Sequence, residues 1–431
     1  MKRKLTIASL VTLCTAPMLL PSQDASAMPA FARKYGTSCY TCHSGFPTRN
    51  AFGEAFRNNG YRWPGGEDED KAKQEQLKLG SEGWKKSFPD SPYPADIPGY
   101  APVGFWFRGQ LVNYSDEVKN AADVVKTKST FNNGTGILST STLFFGGTIG
   151  NNLSAFGQYN LSTTTAPTGH VIWAFAPGVN LALGNGFSDF TFGNQIQVYN
   201  STFQSPGTGA EFSYITGKSG GFKLNVGIAE GGTANTNMFT DIIYAHAKYK
   251  IGGAGLLSGA GGTYGNEYVG LDNHIAIGAT FMTANKGIMT GNYTGETKIY
   301  GFDVTGNYSN LSLGAAYSKD SDLGYNNYRV NAIYFLYPWL QSTVTYSNIR
   351  SGAKGVIPAA SSPNTNAGTI ANRPTLAFGM TAHLRANAYI TATYTKELRN
   401  RWPANSNPSS PVSSAGDTVP NTFALQGSFA F

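Results

Sequence analysis

From Val103 to the C-terminus, apolar and polar residues exchange places with a period of two. In Val103-Gly104-Phe105-Trp106-Phe107-Arg108-Gly109-Gln110-Leu111 the odd positions are apolar, while Arg108 and Gln110 face the other way. The same alternation recurs in Leu153 to Leu161, Phe222 to Ile228, Tyr300 to Tyr308 and Leu311 to Tyr317. It continues in Tyr328 to Leu336, Leu376 to Leu384 and Ala388 to Tyr394. Successive side chains of a strand point to opposite faces, so each run predicts a strand with one apolar and one polar face. Short turn signals join several of them, at Gly150-Asn151-Asn152, Ser309-Asn310, Pro338 and Ala386-Asn387. Longer polar connections intervene at Ser115 to Gly136, Ile349 to Arg373 and Glu397 to Val419. Short turns alternating with long loops are the pattern of an outer-membrane β-barrel.

The last run, Phe423 to Phe431, alternates without fault and ends on an aromatic residue, which resembles the insertion signal of bacterial outer-membrane barrels. Trp106, Tyr114, Trp173, Tyr337 and Trp339 stand near strand ends, where interfacial girdles are expected. At about 20 residues per strand and loop, the length predicts about 16 antiparallel strands. Gly252 to Thr297 does not divide cleanly into up and down strands. The fold class expected is therefore mainly β: a transmembrane outer-membrane barrel with a small N-terminal α-helical plug.

Composition agrees. Charged residues make up 13% of the chain, against about 25% in ordinary soluble domains. No apolar run after the N-terminal segment approaches the ~18 residues of a spanning helix. A closed barrel is the remaining way to cross a membrane. The net charge of +7 is modest for 431 residues, and no basic cluster points to nucleic acid. Residues 1–27 read as a cleaved signal peptide. Lys2, Arg3 and Lys4 precede the apolar stretch Leu5 to Leu20, and Ala25-Ser26-Ala27 is the cleavage site. Cys14 leaves with it, so Cys39 and Cys42 are the only thiols of the mature chain.

Ahead of the barrel the chain changes character. Asn50-Ala51-Phe52-Gly53-Glu54-Ala55-Phe56 sets two aromatics four apart, the spacing of one helix face, and Gly60 follows as a C-cap. Glu67 to Lys86 is charged and reads as a helical spacer; the prolines from Pro89 to Pro102 read as a stiff linker. The organisation expected is signal peptide 1–27, a small N-terminal module 28–86, proline-rich linker 87–102 and barrel 103–431.

Within the module lies Cys39-Tyr40-Thr41-Cys42-His43. This is C-x-x-C-H, the attachment signature of a c-type haem. Two thiols three residues apart on one turn can form thioethers to the two vinyl groups of one porphyrin, and His43 is then placed to ligate the iron. A structural zinc site would require about four ligands, and no further cysteine is present. A redox dithiol is expected near a β-α-β pattern, which is missing. One covalent haem c is the cofactor expected, and one haem must lie near both donor and acceptor. A module this small cannot enclose a porphyrin, so the barrel must cover it. Between Pro29 and Pro102 there is no methionine and no histidine except His43. Candidates for the distal ligand are therefore His170, His246, His274, His383 and Met282, all on the polar parity of the strands, and Met28.

Pro29-Ala30-Phe31-Ala32-Arg33, the haem motif, Phe46-Pro47, Phe52-Gly53, Phe56 and Asn59-Gly60-Tyr61 together resemble a known N-terminal pattern. It is that of the outer-membrane fused monohaem cytochrome c–porin family, best known as the iron oxidases of iron-oxidising bacteria. The detailed match covers Pro29 to Trp63. The resemblance implies a cytochrome seated in a porin of about 16 strands in the outer membrane of a Gram-negative bacterium. It further implies extracellular Fe(II) as electron donor and a periplasmic cytochrome as acceptor. Such an Fe(II):cytochrome oxidoreductase works by one-electron outer-sphere transfer and needs no catalytic residue beyond the haem. The alternatives are outward electron transfer to minerals or partner proteins, and a diffusion porin whose haem module is a plug.

Overall fold

The computed structural model describes residues 30–45, 48–65, 71–72, 76–77, 86, 97–98 and 101–430, apart from the segments 134–139, 151, 163–166, 186–207, 231–241, 285–296, 321–325, 351–372, 386 and 401–416. Its wall is one closed antiparallel sheet. In chain order the strands are β1 (Val103–Ser115), β2 (Thr142–Ile149), β3 (Leu153–Asn160) and β4 (Thr168–Ala176). Next come β5 (Val179–Gly184), β6 (Gly209–Thr216), β7 (Ser219–Ala229) and β8 (Ile242–Ala254). They are followed by β9 (His274–Ala284), β10 (Thr297–Tyr308), β11 (Leu311–Asp320) and β12 (Asn326–Tyr337). The last four are β13 (Leu340–Arg350), β14 (Arg373–Arg385), β15 (Ala388–Glu397) and β16 (Thr422–Ala430). Each pairs with the next, and β16 pairs with β1 to close the ring. A short strand, Thr130–Asn133, pairs with the far half of β1 and shares β2's position, so the wall has sixteen positions.

The alternation does the sorting that its period requires. Val171, Ile275, Phe302, Leu313, Val344 and Phe378 are exposed on the outer surface. Lys223, Asn225, Lys248, Thr280 and Asn331 are buried on the inner face. An apolar outside around a polar inside is what a barrel in lipid needs, because its backbone groups are all paired within the wall. Trp173 stacks on Phe175 and Tyr337 on Trp339, all exposed, as girdle aromatics would be. Trp106 is different. Its even position in the pleat turns it inward, where its indole N–H donates to Ser428 Oγ at 2.6 Å.

The stretch without a clear period is not wall. Between β8 and β9, residues 255–273 form a strap against the plug. It holds a ribbon of Tyr264–Asn266 against Leu271–Asp272 around the turn Glu267–Val269. Two other local expectations change. Ser115 to Gly136 contains a small hairpin of Val118–Lys119 with Val125–Thr127. Gln76–Leu77, in the stretch expected to be helical, pairs with Ile97–Pro98, so tertiary pairing overrides local propensity there. Apart from 71–72 and 86, the remainder of that stretch lies outside the described residues, as does Phe431.

The plug comprises α1 (Ala30–Tyr35), a 3₁₀ turn (Cys39–Thr41), the ribbon His43–Gly45 with Thr48–Arg49, and α2 (Ala51–Asn58). Phe31, Tyr35, Phe52, Phe56, Tyr61 and Trp63 form its aromatic core, with Phe31 stacked on Tyr61 at 5.2 Å and Phe52 edge-on to Trp63 at 4.8 Å. α2 ends where Gly60 adopts φ +65°. Gly60 N–H donates to Arg57 O and Tyr61 N–H to Phe56 O, the pairing of a Schellman motif.

Candidate functional site

Ser38 starts the motif turn: its hydroxyl accepts from Tyr40 N–H at 3.0 Å. Cys42 N–H then donates to Cys39 O, which brings both cysteines onto one tight turn. The two thiols are not bonded to each other. Burial pushes the Cys42 thiol up to about 12, with Cys39 beside it adding to the effect, and burial raises Cys39 as well. Such thiols are poor nucleophiles at neutral pH, unlike those of an exchanging dithiol. His43 leaves the turn as the first residue of the ribbon. Among the described residues, no group of three or more His, Cys, Asp or Glu side chains could hold a bare metal ion.

Asn50 joins this turn to α2. As N-cap its Oδ1 accepts from Gly53 N–H at 2.9 Å, while its Nδ2 donates to Tyr40 O and Thr41 O at 3.0 and 3.2 Å. Its own N–H donates to Cys42 O at 3.0 Å. The helix can come this close because residue 53 has no side chain. A Cβ there would lie 2.0 Å from Cys42 O.

The plug is bonded to the inside of the wall. Asn58 is the centre of this docking: its Nδ2 donates to Leu256 O, its carbonyl accepts from Asn180, and its Oδ1 accepts from Lys223 Nζ. Asn59 donates to Leu257 O at 2.7 Å, and Arg62 to Leu153 O at 2.5 Å. Glu54 faces Lys248 at 3.9 Å. Tyr61 stacks on Phe156 at 5.4 Å, and Arg33 ties α1 to Ala101 O at the entry to β1. These wall residues stand near the end of the barrel where strands are joined by short turns, at 150–152, 177–178, 217–218, 309–310 and 338–339. Short turns mark the periplasmic side of such barrels.

The strap closes over α2. Ala51 N–H donates to Gly270 O, and Gly259 lies so near Phe52 Cα that a Cβ would come within 2.8 Å of it. Asp272 locks the strap to the wall. Its carboxylate takes Lys250 Nζ at 2.5 Å, Ala254 N–H at 2.8 Å and His274 Nδ1 at 3.2 Å. Burial alone would raise this carboxyl, but the His274 hydrogen bond and the Lys250 ammonium outweigh it and hold it well below the usual carboxylate range.

The candidate distal ligands are dispersed. All four histidines lie on the lumen face. His170 Nδ1 meets Asn185 O at 3.2 Å and its ring stacks on Tyr61; His274 is held by Asp272. His246 is buried in register with Asn225 and Thr280. Met282 is buried in an apolar cluster with Tyr244 and Ile299. Met28 lies outside the described residues. His383 is set against the motif's own ribbon: a Cβ on Gly45 would lie 2.5 Å from its Nε2. Sequence reasoning passed over Asn50 and Asn58. Only the position of Asn50 just before a helical pattern signals its capping half.

No protein-family model and no curated protein matches the chain. Among solved structures it is similar to an anion-selective porin from Comamonas acidovorans, at 14% identity and TM-score 0.45, over 76% of this chain and 99% of that one. It is similar also to Salmonella typhi OmpF in complex with daunomycin, at 11% identity and TM-score 0.48, over 76% and 97%. A loop L8 deletion mutant of Vibrio cholerae OmpT matches at 10% identity and TM-score 0.42, over 76% and 99%.

Proposed function

We propose that this porin-like barrel is an outer-membrane electron-transfer protein. Cys39 and Cys42 carry one haem c, His43 is its proximal ligand, extracellular Fe(II) is the donor and a periplasmic cytochrome the acceptor. The observation that supports this reading best is the seating of the C-x-x-C-H turn inside the lumen, clamped by Asn50 and bonded through Asn58 to three elements around it. The donor set fits the group: two unpaired thiols on one turn, an adjacent histidine, and an apolar aromatic core beside them.

When bound, the haem supplies a one-electron site. The chain's own part is to hold that site still and keep it between two compartments. Asn50 fixes the turn, the aromatic core excludes water, and the wall contacts set how deep the plug sits. Fe(II) outside gives up one electron and the periplasmic cytochrome gains it. No proton is transferred, so no general acid or base is required.

The test is a haem stain on a denaturing gel, a pyridine haemochrome assay, and rapid mixing of the purified protein with Fe(II). One covalent haem per chain, reduced by Fe(II), is expected; no stain, or more than one haem, ends the reading. A second reading, a diffusion porin with a haem-bearing plug, is favoured by the porin-like wall. A large open-channel conductance in planar bilayers with no reduction by Fe(II) would select it. Reoxidation of reduced protein by extracellular minerals, without reduction by Fe(II), would select outward transfer.

A further inference from the structure

We infer that His383, on barrel strand β14, is the second axial ligand of the iron, so that the wall and the plug ligate one haem from opposite sides. This rests on the haem reading above and adds the residue that completes the site.

Between Pro29 and Pro102, His43 is the one histidine and there is no methionine, and Met28 lies outside the described residues. The second ligand is therefore sought on the wall, where His383 is set apart by its position. It is buried, with about 5% of its surface exposed, and neither ring nitrogen has a hydrogen-bond partner, a feature that does not by itself separate it from His246. A buried polar atom without a partner costs about 1–3 kcal/mol, so an imidazole with both nitrogens idle stands where a bound group is expected to use one. His170 and His274 each spend Nδ1 on an oxygen of the chain.

The position is specific. The ring edge of His383 faces Gly45, two residues after His43 on the same extended segment; a Cβ there would come within 2.5 Å of Nε2 and 2.7 Å of Cε1. Glycine at 45 is what leaves the imidazole access to this part of the plug. The wall also holds the ring in place. His383 N–H donates to Trp339 O at 2.7 Å, and the ring lies against Tyr389, its partner on β15, at 5.5 Å. Met282 also reaches the plug, in one buried apolar cluster with Tyr35, Phe56 and Tyr61, but it is His383 that faces the segment carrying His43.

The experiment uses the full chain in detergent, with visible and electron paramagnetic resonance spectra and a redox titration. Wild type is expected to be low-spin. His383→Ala is expected to become high-spin, with low spin restored by added imidazole. His383→Met should stay six-coordinate with a raised potential, as methionine ligation does to haem iron; this variant keeps the test decisive if the alanine variant assembles poorly. Gly45→Ala should give a mixed-spin spectrum although every ligand is present. His170→Ala, His246→Ala, His274→Ala and Met282→Leu should look like wild type. A His383→Ala protein with unchanged spectrum and potential overturns the assignment, as does transfer of the spin change to another of these positions. A wild-type chain without covalent haem overturns the haem reading itself, a separate outcome.

Discussion

Gly53→Ala separates what a helix wants from what this site needs. In a helix, alanine is better than glycine by up to about 1 kcal/mol, so propensity alone predicts a gain. The site predicts a loss. The added Cβ would lie 2.0 Å from Cys42 O, 2.9 Å from its carbonyl carbon and 3.1 Å from its Cα, all backbone atoms. Relief requires α2 and the motif turn to separate by on the order of 1 Å, and overpacking of this kind costs about 1–3 kcal/mol. The separation also stretches the 3.0 Å bond from Asn50 N–H to Cys42 O, a bond worth about 1 kcal/mol. The net expectation is a loss of about 1–2 kcal/mol confined to the plug. Amide hydrogen exchange read by mass spectrometry measures it in the intact protein. Peptides spanning 39–58 should exchange roughly 5–30-fold faster than in wild type, with β10 to β13 unchanged. Exchange that is unchanged or slower would refute the close approach as the reason for glycine here.

Asn50→Ala should cost more than a lost cap, about 1 kcal/mol, because Tyr40 O and Thr41 O also lose their donor; Asn50→Ser, which can still cap, should fall between it and wild type in proteolysis of residues 39–58. Asp272→Asn leaves Lys250 buried without its counter-charge and should destabilise the strap by about 3–5 kcal/mol, seen as faster exchange over 255–273. The Asp272 carboxyl is depressed, so its contribution is complete above the ordinary carboxylate pKa and is lost only as pH falls through its lowered value; titration from pH 8 to 5 should leave the strap docked in wild type. Val344→Arg, on the outer face, should cost about 2–4 kcal/mol if it lies near the bilayer midplane, whereas Thr343→Arg, next to it but facing inward, should cost much less in a folding titration.

The wall was legible because a half-buried strand writes its two faces into alternate residues, as β14 does without interruption. Trp106 shows the limit: nearness to a strand end suggested a girdle, but only its parity places it inside. The strap at 255–273 was illegible for the complementary reason. It packs against another unit and has no period to declare. At the site, the spacing of Cys39, Cys42 and His43 is local and could be read directly. The clamp by Asn50 onto Tyr40 and Thr41, and the docking of Asn58 on Leu256, join residues whose proximity no local pattern encodes. Parity placed all four barrel histidines in the lumen. Setting His383 against Gly45 took the closed wall.

The ring's closure also imposes an order on biogenesis. The plug lies upstream of β1, while the last wall position is filled by β16 pairing back onto β1. A chain made from its N-terminus therefore has its C-x-x-C-H turn in the periplasm well before the strand that seals the cylinder exists. Once it is sealed, the two cysteines lie within the ring, Cys39 buried and Cys42 partly so. On the haem reading proposed above, covalent loading would precede insertion, and a chain that missed that interval would reach the membrane as an empty shell.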